Sequence, residues 1–270
     1  MVDQSEVNTV GHEPIGAAGG QTERRDWIRD RVRDHGFVRI ETIAKELDVS
    51  VMTVHRDLDA LQAQGWLRKV RGGATALPSA AFHGDVGQRM AAMAEVKGRL
   101  ANAALGLLAR GQTVMLDEST TCLHVAQRLA EKAPLTVISN FLAAIKLLAG
   151  QPGITLIALG GSYLPAYDAF LGLHTAEAAE SFRSDVLLMS TTAISNGRCY
   201  HQSQETVQVK RALMANAGRR ILLVDHTKFA REGLYALAPL TDFDIVIADN
   251  ALPAVEQKRL RDSGVRLQLA

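Results

Sequence analysis

The N-terminal third of the chain alternates apolar and polar positions with the period of amphipathic helices. The pattern predicts three helices, which begin near residue 22, at residue 41 and at residue 51. A tight turn at Asp48-Val49 separates the second helix from the third, and Ser50 is placed to cap the third helix. The positions predicted to face a shared core are Trp27, Ile28, Val32, Ile43, Leu47, Val54, Leu58 and Leu61. This arrangement predicts a helix-turn-helix.

A short basic segment and two glycines follow the third helix. Residues 66–71 read WLRKVR and lead into Gly72-Gly73, which predicts a hairpin wing. In a winged helix-turn-helix, the third helix presents its N-terminal residues to base edges and the wing contacts phosphates. The residues expected to contact DNA are Ser50, Met52, Thr53, His55, Arg56, Lys69 and Arg71. The alternative, that the three helices are only a packing module, leaves the basic wing unexplained.

Two segments flank this region and lack its pattern. Residues 1–21 contain few large apolar residues and show no period, so we expect a disordered arm. Residues 78–92 are small and polar, and they are predicted to link two domains. The DNA-binding domain is therefore predicted to span residues 22–77, and a second domain to span residues 93–270.

From residue 93 onward, short and continuously apolar strands alternate with helices. Strands are predicted at residues 113–116, 135–138, 154–159, 185–189, 221–224 and 245–248. Such strands are typical of a parallel sheet that helices cover on both faces. The predicted fold class is therefore α/β, with an N-terminal winged helix-turn-helix and a C-terminal parallel-sheet domain.

Small, hydroxylated or charged residues follow each predicted strand. Ligands bind beyond the carboxyl ends of the strands in open α/β sheets, so these residues predict a binding site at that edge. In the loop Asp117–Thr121, hydroxyls and backbone N–H groups could surround an anion. The candidate residues are Asp117, Ser119, Thr120, Thr121, Ser139, Asn140, Gly160, Gly161, Glu205, Lys210, Asp225 and Lys228. The alternative is that the hydroxyls only cap helices and that the lysines are solvated.

Motifs in both halves resemble one known family. The segment VSVMTVHRDLDALQAQGWLRKVRGGA resembles the N-terminal signature of DeoR-family transcriptional repressors, with His55 where the family often has a second arginine. LDEST-T, E-x-x-x-x-K and D-x-T-K-F resemble the family's effector-binding domain, with Ser119 where the family usually has glycine. The resemblance implies a domain similar in fold to ribose-5-phosphate isomerase and glucosamine-6-phosphate deaminase. It also implies an effector that is a phosphorylated sugar or a related metabolite.

Two functions are compatible with these features. The first is a repressor of carbohydrate metabolism genes that binds a double-stranded operator as a dimer or tetramer and is released by the effector. The second is a sugar-phosphate isomerase or deaminase with a DNA-binding appendage, in which Glu205 and Lys210 could act as base and acid. The first is favoured and no catalytic residue is assigned, because nothing in the sequence demands turnover.

Composition narrows the remaining possibilities. The formal net charge of +1 does not exclude DNA binding, since a local basic face is enough. Cys122 and Cys199 are predicted to be buried free thiols. No metal site or cofactor is predicted, because no metal-ligand spacing occurs among His124, His174, His201, His226 and Cys199. No apolar run of about 18 residues occurs, so we expect a cytoplasmic protein without a membrane partner.

Overall fold

The computed structural model describes residues 20–64, 66–76 and 86–270, apart from the side chains of residues 33 and 34. The chain divides into two compact units, Met1–Leu77 and Pro78–Ala270, which we call the N-terminal and C-terminal units. Most of the predicted disordered arm (residues 1–19) and the first part of the predicted linker lie outside the described residues, whereas Gly20 and Gln21 belong to the start of the first helix.

Helices and strands of the N-terminal unit form a winged helix-turn-helix, as predicted. The helices are α1 (Gln21–His35), α2 (Ile40–Glu46) and α3 (Val51–Ala63). Three antiparallel strands pair in the order β1-β3-β2, namely β1 (Phe37–Arg39), β2 (Leu67–Val70) and β3 (Gly73–Ala76). The predicted core positions are buried except Trp27, which is partly buried and packs against the others together with Trp66. Helix α1 begins at Gln21, with Gly20 as its N-cap residue.

Local signals determine the ends of these elements. Asp48 has a left-handed backbone (φ +50°), and its turn separates α2 from α3. The Ser50 side chain accepts a hydrogen bond from the backbone N–H of Thr53 at 3.1 Å, which caps α3 as predicted. At residue 73 a Cβ atom would collide with the carbonyl oxygen of Val38, so β1 and β3 can pair only with glycine there.

A buried carboxylate joins α1 to α3, and the sequence did not predict it. Asp57 is 1% exposed, and its two oxygens accept hydrogen bonds from Nε of Arg24 at 2.6 Å and of Arg25 at 2.9 Å. A buried carboxylate is stable only when cations or N–H groups satisfy it. The ion pairs therefore hold α3 in a fixed position on α1.

The C-terminal unit is built on one seven-stranded sheet. Its order is β15-β14-β12-β9-β4-β5-β6, and every pairing is parallel, which confirms the predicted fold class. The strands are β4 (Thr113–Leu116), β5 (Leu135–Ser139), β6 (Ile154–Ala158), β9 (Ser184–Met189), β12 (Ala217–Val224), β14 (Ile245–Ala248) and β15 (Leu267–Leu269). The last of these was not predicted.

Helices precede β4 and connect most of the strands that come after it. They are α4 (Val86–Ala91), α5 (Ala94–Leu105), α6 (Thr120–Ala126), α7 (Leu142–Leu148), α8 (Leu173–Glu180), α9 (Gln204–Ala215) and α10 (Ala254–Asp262). Short 3-10 helices span Leu129–Lys132, His226–Ala230 and Leu240–Asp242. Helix α4 lies inside the segment predicted as a linker. No helix of the described ranges has the length and apolar character needed to cross a membrane.

Two small antiparallel sheets flank the main sheet, and neither was predicted. One pairs β7 (Ser162–Leu164) with β8 (Ala169–Leu171), and the other has the order β10-β11-β13. Its strands are β10 (Ala193–Ser195), β11 (Arg198–His201) and β13 (Tyr235–Pro239). Both residues of the Asn196-Gly197 turn have positive φ angles, which is the preferred geometry for a two-residue hairpin.

The strand order places a crevice at the centre of the main sheet. From β4 the chain moves outward through β5 and β6, and it then returns to the other side of β4 to form β9, β12, β14 and β15. The order therefore reverses between β4 and β9. Ligands of open parallel sheets bind at the carboxyl ends of the strands beside such a reversal.

We expect Asp57→Asn to destabilise the N-terminal unit by about 2 to 3 kcal/mol, because two cations lose their buried partner. Both tryptophans of the chain, Trp27 and Trp66, lie in this unit, so tryptophan fluorescence during urea unfolding reports on it selectively. Asp59→Asn is the matched control. Asp59 is exposed, and its removal should change stability by no more than about 0.5 kcal/mol. Equal stability of the two variants would contradict the anchoring role of Asp57.

Candidate functional site

The first turn of α3 presents an exposed surface that the fold does not use. Val51 is 47% exposed and Met52 is 62% exposed, and Arg56 is also exposed one turn later. His55 is half-buried, and the Thr53 hydroxyl lies 2.9 Å from Ser50 Oγ within the cap. Exposed apolar and basic side chains at the start of a recognition helix are suited to base edges and thymine methyl groups.

The wing carries the remaining basic residues predicted to contact DNA. Arg71 is exposed in the turn between β2 and β3, from which a long basic side chain can extend toward a phosphate. Lys69 is tied to α3, since its Nζ lies 2.5 Å from Oδ1 of Asp59 and its backbone N–H donates to Gln62 at 2.7 Å. Lys69 therefore positions the wing on α3, in addition to supplying a positive charge.

A buried ion cluster lies at the reversal of the strand order in the C-terminal unit. Lys210 of α9 is 1% exposed, and its Nζ lies 2.5 Å from Asp117 and 2.9 Å from Glu118. Both carboxylates follow β4 and are themselves buried. Burial alone would lower the pKa of Lys210, but the two carboxylates outweigh burial and raise it above the ordinary value. The Lys210 side chain is therefore a permanent cation held in place by the fold.

Asp117 mainly holds together the elements that border this crevice. Its Oδ2 accepts from the backbone N–H of Ser190, the residue after β9, at 2.8 Å, and its Oδ1 accepts from the N–H of Ser119 at 3.0 Å. Together with Lys210, these donors occupy both carboxylate oxygens. Asp117 thus joins β4, β9 and α9, which leaves little capacity for a ligand.

Asn140 and Glu118 offer acceptors on one side of the crevice. The Asn140 side chain is fully buried and donates to the carbonyl of Phe170 at 3.0 Å and to Glu118 at 3.5 Å. Its Oδ1 is buried and accepts no hydrogen bond from the described residues. Because buried acceptors are nearly always paired, this oxygen is suited to accept a hydrogen bond from a ligand hydroxyl. Glu118 was not among the residues predicted for the site.

Four basic residues on the other side interact electrostatically, and we call Lys97, Lys228, Arg89 and Arg231 the basic cluster. Lys228 Nζ lies 3.9 Å from Asp225, and the ammonium of Lys97 donates to Thr120 Oγ1 at 3.1 Å. Burial lowers the pKa of both lysines to about 8, and the like charges of the two arginines add to this effect. Asp225 opposes the shift without cancelling it. An anion beside the two lysines would therefore favour their charged forms.

The sequence contained a signal for Lys97 that was not used. Lys97 stands three to seven residues before Leu100, Ala101 and Ala104, on the buried face of α5. A lysine on the core face of an amphipathic helix cannot be solvated in the ordinary way. Such a position indicates an internal partner or an anionic ligand.

Several of the predicted site residues have partners within the fold. The Ser139 hydroxyl bridges the carbonyl of Leu116 and the N–H of Phe141. A Cβ at Gly161 would collide with the Thr175 hydroxyl, so Gly161 accommodates α8, and this hydroxyl donates to the Gly160 carbonyl at 2.8 Å. Three predicted site residues remain. Glu205 is exposed and accepts a hydrogen bond from the Ser203 hydroxyl, Ser119 caps α6, and Thr121 is buried.

Cysteine and histidine residues do not form a second site in the described parts of the chain. Cys122 and Cys199 are buried free thiols, as predicted. Burial raises the pKa of Cys199 to about 12 and raises that of Cys122 well above the usual value, so both thiols stay protonated. Within the described ranges, no three His, Cys, Asp or Glu residues converge as metal ligands.

Comparison with known proteins identifies the family. Residues 24–80 match the DeoR-like helix-turn-helix domain, and residues 92–250 match the DeoR C terminal sensor domain. The chain belongs to the DeoR family. The chain is 29% identical over 230 residues to the transcriptional repressor AccR of Agrobacterium fabrum. The alignment covers 84% of this chain and 89% of that protein.

A second relative covers nearly the whole chain. The glycerol-3-phosphate regulon repressor of Escherichia coli is 29% identical over 250 residues, 92% of this chain and 99% of that protein. Among solved structures, ribose 5-phosphate isomerase A from Methanocaldococcus jannaschii aligns with 51% of this chain and 55% of its own, at 17% identity and a TM-score of 0.38. That similarity is too low to carry over an active site.

Family membership decides between the two functions that the sequence left open. This DeoR-family chain is a DNA-binding transcriptional regulator, and it is not an enzyme. The geometry agrees, because Lys210 is held between two carboxylates and its raised pKa makes it a poor proton donor. The hypothesis of an isomerase that uses Glu205 and Lys210 is therefore set aside.

We expect Arg56→Ala to weaken binding to the operator by about 1 to 3 kcal/mol while binding to unrelated DNA changes little, because Arg56 is predicted to contact base edges. Gel shifts at one fixed salt concentration, with DNA from upstream of the protein's own gene and with unrelated DNA, measure the ratio of the two affinities. Arg110→Ala is the control, because Arg110 is an exposed arginine of the C-terminal unit. Unchanged discrimination by the Arg56 variant would remove this residue from base recognition.

We expect Lys210→Met to cost about 3 kcal/mol of stability near pH 7, because it leaves two buried carboxylates without their cation. Urea unfolding at pH 7 followed by circular dichroism measures the loss. Lys146→Met, at an exposed lysine of α7, should match the wild type. Equal stability of the two variants would argue against Lys210 as the counterion of the buried carboxylates.

Proposed function

We propose that this protein represses carbohydrate metabolism genes and leaves its operator when a phosphorylated sugar or polyol binds to the C-terminal unit. The observation that carries the proposal is the division of the crevice into two chemically different sides. One side offers Glu118 and the unpaired Asn140 oxygen, and the other offers the basic cluster. A phosphorylated sugar matches both, with hydroxyl donors at one end and a dianion at the other.

The loop between β4 and α6 supports this division, because it contributes to both sides. Glu118 lies within reach of the Asn140 amide, and Thr120, two residues later, accepts the ammonium of Lys97. A ligand of sugar-phosphate size could therefore contact both sides of the loop at once. We propose Glu118, Thr120, Asn140, Lys97 and Lys228 as its principal contacts.

Names of the relatives support the biological role. One relative is called a repressor of the glycerol-3-phosphate regulon, and another is called the transcriptional repressor AccR. A phosphorylated polyol is the kind of molecule that the crevice fits. We therefore propose that genes for the uptake or breakdown of such a compound are the targets.

We also propose that the protein binds DNA as a dimer or tetramer. The N-terminal unit presents one recognition helix, and one helix covers only a few base pairs. Two such helices on a repeated operator multiply the affinity through effective concentration. Light scattering of the protein alone and on its operator measures the assembly.

The effector proposal is tested by a thermal-shift screen of sugar phosphates and their unphosphorylated parents. At least one phosphorylated compound should raise the melting temperature and release operator DNA in a fluorescence anisotropy titration. Lys228→Met should keep the DNA affinity but require about tenfold more effector for release, because one charge-assisted contact is lost. Lys146→Met is the matched control. Release by the unphosphorylated sugar alone, or normal release of the Lys228 variant, would refute the proposed phosphate contact.

A further inference from the structure

Thr206 of α9 has a buried hydroxyl that the fold leaves without a partner. The residue is 0% exposed, and its Oγ1 makes no hydrogen bond to any part of the chain that the structure describes. Its backbone N–H is already satisfied, because it donates to the hydroxyl of the capping Ser203 at 3.1 Å. A buried hydroxyl without a partner has lost its hydration and gained no bond in return. The Thr206 hydroxyl is therefore available to a bound molecule.

The position of Thr206 at the start of α9 explains why its hydroxyl lacks an internal acceptor. A threonine inside a helix usually donates to the carbonyl four residues earlier. Thr206 is the third residue of α9, and the residue four positions before it, Gln202, precedes the cap at Ser203. The carbonyl that would satisfy an interior threonine is therefore not part of the helix.

Thr206 lies on the same face of α9 as Lys210, one turn closer to the N-terminus. Helical side chains tilt toward the N-terminus, so the long side chain of Lys210 extends over the turn that contains Thr206. The ammonium of Lys210 has three N–H groups, and each already has an acceptor. The three acceptors are Asp117, Glu118 and the carbonyl of Ser190. Lys210 thus has no donor left for Thr206.

A second buried oxygen without a partner lies beside the same ion cluster. Oδ1 of Asn140 accepts no hydrogen bond within the described ranges, while the amide nitrogen of Asn140 donates to Glu118 at 3.5 Å and to the carbonyl of Phe170 in β8. Helix α9 packs against β8. Since Glu118 contacts both Asn140 and Lys210, it joins the side of the crevice that holds Asn140 to the face of α9 that holds Thr206.

We propose that Thr206 is a specificity-determining residue that, together with Glu118 and Asn140, binds the hydroxyl groups of a neutral polyol or sugar chain and rejects an acidic one. This inference rests on the proposed effector site, of which it defines the end away from the phosphate. The free oxygens of Glu118 and Asn140 can only accept hydrogen bonds, whereas the Thr206 hydroxyl can donate and accept. A chain of hydroxyls satisfies all three groups.

A carboxylate at the same place would be unfavourable. It has no proton to donate to the acceptors of Glu118 and Asn140. The ion cluster beneath it has two carboxylates for one lysine, so it repels a further negative charge. The crevice should therefore distinguish a phosphorylated polyol from the phosphorylated acid of the same chain length.

Two pairs of probes of equal chain length test the chemical class. They are glycerol 3-phosphate against 3-phosphoglycerate, and glucitol 6-phosphate against 6-phosphogluconate, with inorganic phosphate as the reference for the anion site alone. Calorimetric titration of the full-length protein should show at least one polyol phosphate that binds about tenfold or more tightly than its acid and than inorganic phosphate. Tighter binding of the acids, or no polyol phosphate that exceeds inorganic phosphate, would overturn the proposal.

Variants at Thr206 test the residue itself. Thr206→Val keeps the shape and removes the hydroxyl. It should bind the preferred polyol phosphate about three- to tenfold more weakly, bind inorganic phosphate as before, and melt no lower than the wild type without ligand. Thr206→Ser keeps a hydroxyl and should retain most of the affinity. Unchanged polyol phosphate affinity of Thr206→Val would remove Thr206 from the site.

Thr175→Val is the matched control, because Thr175 is the third residue of α8 and is also 0% exposed. Its hydroxyl donates to the carbonyl of Gly160 at 2.8 Å, so it has the internal partner that Thr206 lacks. Thr175→Val should melt about 2 to 4 °C lower than the wild type and leave the ligand affinities unchanged. An equal loss of melting temperature in Thr206→Val would show that the Thr206 hydroxyl serves the fold instead.

The outcomes distinguish this inference from the proposed function. If a polyol phosphate binds through Thr206 but does not release operator DNA, the hydroxyl site stands and the proposed role of its ligand is wrong. If a sugar phosphate releases operator DNA equally well from the wild type and from Thr206→Val, the proposed function stands and the role of Thr206 is wrong.

Discussion

The C-terminal unit depends on a single buried lysine. Lys210 neutralises two carboxylates that would otherwise be too costly to bury at the end of β4. Asp117 then uses its remaining capacity to bind the backbone after β9, so the two central strands are joined where the strand order reverses. The ion cluster therefore closes the floor of the crevice in which the ligand site is proposed. The strands around it can remain continuously apolar, since the charge is confined to this point.

The polar residues at the sheet edge therefore fall into two groups with different roles. Groups that satisfy each other, such as Asp117 with Lys210, form the scaffold. Groups that the protein leaves unsatisfied, such as the Asn140 oxygen, form the candidate site. A sequence shows both kinds of residue as the same pattern of polar positions after a strand. The structure separates them by hydrogen bonding, and what remains suits an anion linked to a polyhydroxyl body.

Features that depend on residues close in sequence could be predicted, whereas features that depend on contacts between distant residues could not. The α3 cap at Ser50, the turn at Asp48 and the apolar strands depend on neighbouring residues, so they could be predicted. The pairing of Lys210 with Asp117, 93 residues apart, and of Asp57 with α1 depends on topology that no local pattern contains. The hairpin at Asn196-Gly197 did have a local signal, and it was overlooked. Lys97 was missed because a lysine is ordinarily assumed to be solvated.

Three lysines of the same unit show how charge distinguishes scaffold from candidate site. Two buried carboxylates raise the pKa of Lys210 despite its burial, so the fold itself supplies the counterions of this lysine. Burial lowers the pKa values of Lys97 and of the partly buried Lys228 to about 8, and neighbouring cations add to this effect. Keeping these two lysines charged is therefore costly, and a bound anion would reduce that cost. The proposed effector would gain more from Lys97 and Lys228 than from Lys210, because the counterions of Lys210 are already in place.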